Sequence, residues 1–189
     1  MNLLALKFVT YFDHEYSLRT LALDAYVHDA RLEVLGCGFR PPWGDLHYAD
    51  REDVMMHLRH INWRDTAILC RDARCDALIL HHCYGVRPAF IYDVMSMART
   101  SDLPPSTIPY GRIEGKRCKD LRRDPFLRQE LAEGCKSEVE LTWQLFTRLR
   151  LDERELQVID EGVRVWLAKC HERFWRRARR QVASCRPPE

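Results

Sequence analysis

The feature that most constrains what this chain can fold into is a change of rhythm at Asp124-Pro125. Before it, short apolar runs alternate with stretches of helical spacing; after it, the apolar residues recur at steps of three and four. "LLALKFVTYF" reads as a buried strand, "ARLEVLGCGFR" as a more exposed one, and "TAILC" and "AFIYDV" as two compact ones. Between them, "REDVMMHLRHI" puts Val54, Leu58 and Ile61 at helical spacing behind Asp50, with Asp53 in the first turn, and "CDALILHHCYG" reads as a helix ended by Gly85. "RPPWGD" is a turn by its prolines and glycine, and "MSMAR" a helical turn. Strands alternating with helices and closing in a helical pair predict an α/β fold.

The segment "TSDLPPSTIPYGRIEGKR", with three prolines and two glycines, predicts a loop. Beyond it one stripe runs through Leu131, Cys135, Val139, Thr142, Phe146 and Leu149. A second runs through Leu156, Ile159, Val163, Trp166, Cys170, Phe174, Ala178 and Val182, opened by Asp152 and Glu155 as a capping box. The expected organisation is an α/β domain over residues 1–150 with a basic amphipathic helix, 151–189, packed on it. At 189 residues the chain is long enough to bury a real core.

Charge and cysteine usage narrow the class further. The net charge of +2 hides an uneven layout: residues 169–186 carry Lys169, Arg173, Arg176, Arg177, Arg179, Arg180 and Arg186 against Glu172 alone. No apolar run approaches the roughly 18 residues of a membrane span, so no membrane contact is expected. The opening "MNLLALKFVTYFD" lacks the pattern of a secretory leader, so the eight cysteines are read as reduced thiols in a soluble, cytoplasmic protein. Cys70, Cys75 and Cys83 with His81 and His82 match no paired-cysteine zinc spacing and are read as free thiols. His14 reads as a strand histidine, and Met95 and Met97 as core packing.

The acids are where chemistry enters. Asp13 and Glu15 stand two residues apart at the end of the first apolar run, and strand alternation would point both to one face. Two acids on one face repel each other unless a cation sits between them. Asp76 opens the helix after "TAILC", and Glu138 adjoins the stripe of the first long helix. Four acids from three separated segments suit a pair of divalent ions about 4 Å apart, which clamp a scissile phosphate, activate the attacking water and stabilise the leaving oxygen. Hard oxygen ligands select two Mg²⁺ or Mn²⁺.

Four stretches, "YFDHEYSL", "AILCRDARCDALIL", "GVRPAFIYDVMSMAR" and "LAEGCKSEVELTWQLF", followed by "ELQVIDEGVRVW", resemble in order the proofreading 3′–5′ exonuclease domain of phage-type family A DNA polymerases. That family lies in the ribonuclease H-like DEDD superfamily, and the resemblance covers about residues 8–166. It implies a ribonuclease H-like exonuclease fold, a mixed central sheet flanked by helices with a long C-terminal helical pair. It also implies metal-dependent removal of nucleotides from a single-stranded DNA 3′ end in a bacterial cytoplasm, the host of a phage. Asp13, Glu15 and Glu138 would hold the catalytic ion, with Asp13 bridging to the second and Asp76 completing it. Arg71, Asp72 and Asp93 would orient substrate or support the ligands, Asp93 serving equally well as a helix cap.

The departures from the family pattern are specific. Arg71, Asp72 and Cys75 stand where the second motif has His-Asn and an aromatic, and Gly134 and Glu138 stand where the third has Tyr and Asp. Gly134 cannot orient a water, and Glu138 displaces a ligand by one methylene. The polymerase domain that follows in the family is absent from this sequence, which leaves an exonuclease-like module and a separately encoded polymerase as an implied partner. The arginines of the C-terminal helix, Arg173, Arg176, Arg177, Arg179 and Arg180, are candidate phosphate contacts, with Phe174 and Trp175 either stacking on bases or continuing the core stripe. Two readings stand side by side: a working exonuclease, and a non-catalytic descendant that binds nucleic acid or a polymerase.

Overall fold

A computed structural model describes residues 1–41, 44–101 and 125–184, with residues 125 and 177–184 described by backbone alone. Two sequence expectations fall partly outside them, the centre of the "RPPWGD" turn and the expected loop over residues 100–117, of which 102–117 lie outside.

The chain begins with β1 (Asn2–Thr10), whose residues alternate between two apolar environments. Leu4, Leu6 and Phe8 face one core and Ala5 the other. A short helix α1 (Leu23–Val27) follows, then β2 (Val34–Arg40), β3 (His47–Asp50), α2 (Arg51–Arg59), β4 (Thr66–Cys70), α3 (Ala73–Tyr84), β5 (Phe90–Asp93) and α4 (Val94–Thr100). Two long helices close the described chain, α5 (Pro125–Arg148) and α6 (Glu153–Ser184). The fold is α/β: a five-stranded mixed sheet in the order β3-β2-β1-β4-β5, flanked by helices. β1 pairs antiparallel with β2 and parallel with β4, and β4 parallel with β5.

Local chemistry accounts for the element ends. α3 stops at Gly85, whose φ of +67° suits a residue without a side chain. α6 starts with a reciprocal box: the Asp152 carboxylate accepts from the Glu155 N–H at 2.8 Å, and Glu155 accepts from the Asp152 N–H at 2.9 Å. Asp50 does not act as a side-chain cap; it closes β3, an element hidden in the sequence because only Ala49 of its four residues is buried. α1 also went unseen, being five residues long with too few positions to show a period.

α5 lies across β1 and β2 because Gly38 leaves it room. A Cβ there would meet Cys135 Sγ at 3.0 Å and Val139 Cγ2 at 3.1 Å. The stripe read from the sequence faces inward: Leu131, Cys135, Val139, Thr142 and Leu149 are buried and Phe146 is half-buried. On the opposite face Val163 and Cys170 of α6 join the core under α3. α6 also closes the open edge of β5: buried Asp160 accepts from the Ile91 N–H at 2.8 Å, and Arg164 donates to the carbonyls of Pro88 and Ala89. An exposed edge strand would otherwise offer these groups to another chain. No described helix is long and apolar enough to cross a membrane.

Candidate functional site

The site is built where β1 outruns its parallel neighbour. β4 pairs with β1 only from Asn2 to Ala5, so the β4 side of β1 beyond Leu6 has lost its partner. Asp76, in the first turn of α3, takes the missing place: its Oδ1 accepts from the Phe8 N–H at 2.9 Å. Its other oxygen, Oδ2, is buried and accepts no hydrogen bond among the described residues. It lies 3.6 Å from the ammonium of Lys7, the one charged residue of β1. Glu138 of α5 comes to the same ammonium, also at 3.6 Å, and to Arg71 Nη1 at 3.7 Å. Lys7, Asp76, Glu138 and Arg71 thus form a largely buried group of two cations and two carboxylates.

The electrostatics follow from burial. Asp76 is fully inaccessible, and loss of solvation pushes its pKa up to about 6 against the pull of Lys7 and the Phe8 N–H. Burial works against the charge on Lys7 as well, but Asp76 and Glu138 outweigh it and hold the ammonium well above its ordinary range. Lys7 is charged at every pH at which the protein is expected to work. The thiols around it are pushed up by burial, Cys75 and Cys135 to about 12, so they stay protonated. The Cys135 thiol donates to the Lys7 carbonyl across 3.4 Å and ties α5 to the strand.

Asp13 and Glu15 lie elsewhere. β1 shifts register between Val9 and Thr10 and ends there, so the two-residue alternation does not extend to residues 13 and 15. The chain turns, and Asp13 closes the turn on itself: Oδ1 accepts from the N–H groups of Glu15 and Tyr16, and Oδ2 from the Tyr11 hydroxyl. The Tyr16 N–H, the Tyr11 hydroxyl and the Glu15 N–H hold this carboxyl below its ordinary pKa. Glu15 is exposed; it lies 3.5 Å from the equally exposed ring of His14, which is a turn rather than a strand histidine, and its charge also acts on Arg31. The turn is pinned beneath by Tyr16, whose hydroxyl donates to the Tyr26 carbonyl and whose ring stacks on Tyr26 at 4.4 Å.

The structure therefore brings Asp76 and Glu138 together and leaves Asp13 and Glu15 apart from them. The β1 residue that meets the two acids is Lys7, six residues before Asp13. Among the described residues no three His, Cys, Asp or Glu side chains are grouped so as to hold a metal ion. No family model, curated protein or solved structure matches the chain.

The remaining expected residues fall in two places. Arg71 joins the buried group, while Asp72 is exposed at the start of α3 and makes no cap with its side chain. Asp93 is a cap: it accepts from the Ser96 N–H at 2.9 Å and from the Ala73 N–H at 3.3 Å, fastening α4 and α3 to the end of β5. On α6, Arg173 reaches Asp24 at 3.4 Å and Arg176 pairs with Glu172, both arginines remaining exposed. The side chains of Arg177, Arg179 and Arg180 lie outside the described residues. Phe174 is half-buried on His28 and His82, and Trp175 is exposed. Cys83 is exposed and the thiols of Cys70 and Cys75 are buried; all three are free.

The residue that sequence reasoning missed is Lys7. Its signal was present as a lone cation in the middle of an apolar run, a position where lysine is rarely found unless paired.

Whether these residues suit a pair of divalent ions is a question of charge and donors. Two such ions need several hard oxygen ligands. The group offers two carboxylates, already neutralised by an ammonium and a guanidinium, and the orphaned Oδ2 of Asp76 faces that ammonium. A divalent cation would enter beside two fixed positive charges in a poorly solvated place, where like-charge repulsion is strong. The residues present do not fit Mg²⁺ or Mn²⁺.

Proposed function

We propose that the chain is a ribonuclease H-like module descended from a 3′–5′ exonuclease and kept for binding single-stranded nucleic acid rather than for cutting it. The observation that carries this reading is the Lys7 ammonium, 3.6 Å from both Asp76 and Glu138. On this reading the ammonium stands in for the cation that catalysis would require to bind water and phosphate oxygen. An ammonium can neutralise the two acids but cannot lower the pKa of a bound water to make a nucleophile. The mixed sheet flanked by helices, with acids at the starts and inner faces of α3 and α5, agrees with the descent. Binding is assigned to the basic end of α6, where Arg173 and Arg176 are exposed beside Trp175. Lysines and arginines of this kind supply sequence-independent affinity for phosphates, and an exposed indole supplies a stacking face. A separately encoded polymerase as partner rests on the resemblance alone.

The test is release of 3′ nucleotides from an end-labelled single strand with Mg²⁺ or Mn²⁺, run beside strand binding in EDTA. We expect no release with either ion and undiminished binding in EDTA. Affinity is expected to fall with salt at about −0.7 in log–log slope per phosphate neutralised. Metal-dependent release that disappears in Asp76→Asn would restore the reading of a working exonuclease with two metal ions.

A further inference from the structure

A cleft of about 490 Å³ opens at the carboxyl ends of β4 and β5, between α1, the starts of α3 and α4, and the side of α6. In α/β sheets ligands bind at such strand ends, and the volume lies within the roughly 300–1,000 Å³ of small-molecule sites. It is separate from the Lys7 group, which is walled by β1 and α5. Three arginines and three aspartates line it, and their partners decide what it can hold.

Two of the aspartates are occupied. Asp93 spends its oxygens on backbone N–H groups, and Asp24 is taken by Arg173. That leaves Arg74 and Arg99, exposed and in no ion pair within 4 Å among the described residues, Arg74 acting on Asp93 only at longer range, and the exposed carboxylate of Asp72. Arg74 lies over the Trp166 ring, its guanidinium carbon 5.8 Å from the centroid. Trp166 and Met95 supply an apolar wall, both half-buried. Two forked cations favour a phosphate, which arginine can grip with paired hydrogen bonds. An indole face favours a planar ring. Asp72 disfavours a bare anion and favours a ligand that also carries N–H or O–H donors.

We infer that this cleft binds a nucleoside monophosphate unit, with the phosphate on Arg74 and Arg99, the base against Trp166 and Met95, and sugar or amino donors turned to Asp72. The unit comes free or as the end of a strand; the second form rests on the nucleic-acid-binding reading above, and the first does not.

The experiment is calorimetric titration of the full chain with adenosine 5′-monophosphate and with inorganic phosphate, together with fluorescence anisotropy of a labelled single-stranded oligonucleotide. Each is repeated on Arg74→Ala, Arg99→Ala and Trp166→Phe, and on Arg59→Ala of α2, near the opposite edge of the sheet. Arg74 and Arg99 are exposed, so their variants should fold, and circular dichroism checks this. Expected is binding of the nucleotide, weaker binding of inorganic phosphate, and loss of about tenfold in nucleotide affinity for each cleft arginine, with no change in Arg59→Ala. If the nucleotide binds but the oligonucleotide does not, the cleft stands for the free nucleotide and the strand-binding reading falls. An oligonucleotide that binds equally to every variant, with no nucleotide binding by the wild type, overturns the cleft and leaves strand binding intact. Phosphate binding as tightly as the nucleotide, unaffected by Trp166→Phe, also overturns it.

Discussion

Two acidic pairs of this chain have opposite fates. Asp76 and Glu138 are 62 residues apart in sequence and meet across one ammonium in the interior. Asp13 and Glu15 are neighbours in sequence and stay at the surface, where both act on the exposed Arg31; one closes its own turn and the other stands in solvent. The difference teaches that carboxylate spacing means little until the backbone conformation is known. The same Asp-x-Glu on a strand would be a paired site, and on a turn it is an ordinary stop signal. Burial then sets the energetics, since an interior carboxylate must be neutralised by a partner or a proton, whereas an exposed one is neutralised by water.

The largest expected effect breaks the interior pair by removing its counter-charge. Lys7→Ala leaves two buried acids beside Arg71 alone and should cost about 3–5 kcal/mol in urea denaturation, as unpairing a buried ion does. Asp13→Ala, which removes three hydrogen bonds from a surface turn, should lower the midpoint by clearly less. Equal effects of the two changes would dissolve the contrast.

The second prediction uses pH, and the two regions carry opposite signs. With a folded pKa of about 6 against an ordinary 3.8, Asp76 binds its proton more tightly in the folded state. Stability should therefore fall as pH rises from about 4 to 6, by up to about 3 kcal/mol, and then level off. Asp93, raised by burial, adds in the same direction. Asp13, held below its ordinary value, contributes stability present above that value and lost as pH falls below it. Denaturation midpoints from pH 3.5 to 7 should show the fall, and Asp76→Asn should abolish most of it. A flat profile in the wild type would mean that Asp76 stays ionised throughout.

A third change sharpens the comparison by converting the interior pair. Lys7→Asp places three carboxylates together, and we expect it to be unstable in EDTA and restored by Mn²⁺. The rise in Tm should grow with metal concentration as binding linkage requires, about 2.7 kcal/mol at a hundredfold excess over Kd. Neither the wild type nor Asp13→Ala should respond. A wild type stabilised equally by Mn²⁺ would show that Lys7 does not exclude the ion.

The smallest effect concerns the surface turn. Tyr16→Phe deletes the hydrogen bond to the Tyr26 carbonyl beneath Asp13 and should cost about 1–2 kcal/mol while leaving the fall between pH 4 and 6 unchanged. A change in that fall would show that the two regions are coupled.

Much of the architecture was legible. The strands β1, β2, β4 and β5, the helices α2 and α3, Gly85 as a stop, the Asp152–Glu155 box and the α5 stripe all follow from local periodicity and capping, rules that act within a few residues. β3 and α1 were not legible because four and five residues are too few to display a period. Of the candidate residues, Asp76, Glu138 and Arg71 come to one buried group around Lys7, while Asp13 and Glu15 lie beyond the strand expected to carry them, which ends at Thr10.

The sequence by itself determined the alternation of elements, the buried faces of the long helices and the presence of a lone lysine inside an apolar strand, because each depends on residue type at short range. Only the tertiary structure decided that β1 outruns β4, that Asp76 fills the gap, and that α5 crosses Gly38 to bring Glu138 to the same ammonium. Those contacts join residues 68 to 131 positions apart, and no local rule fixes which of many acids a buried cation will meet.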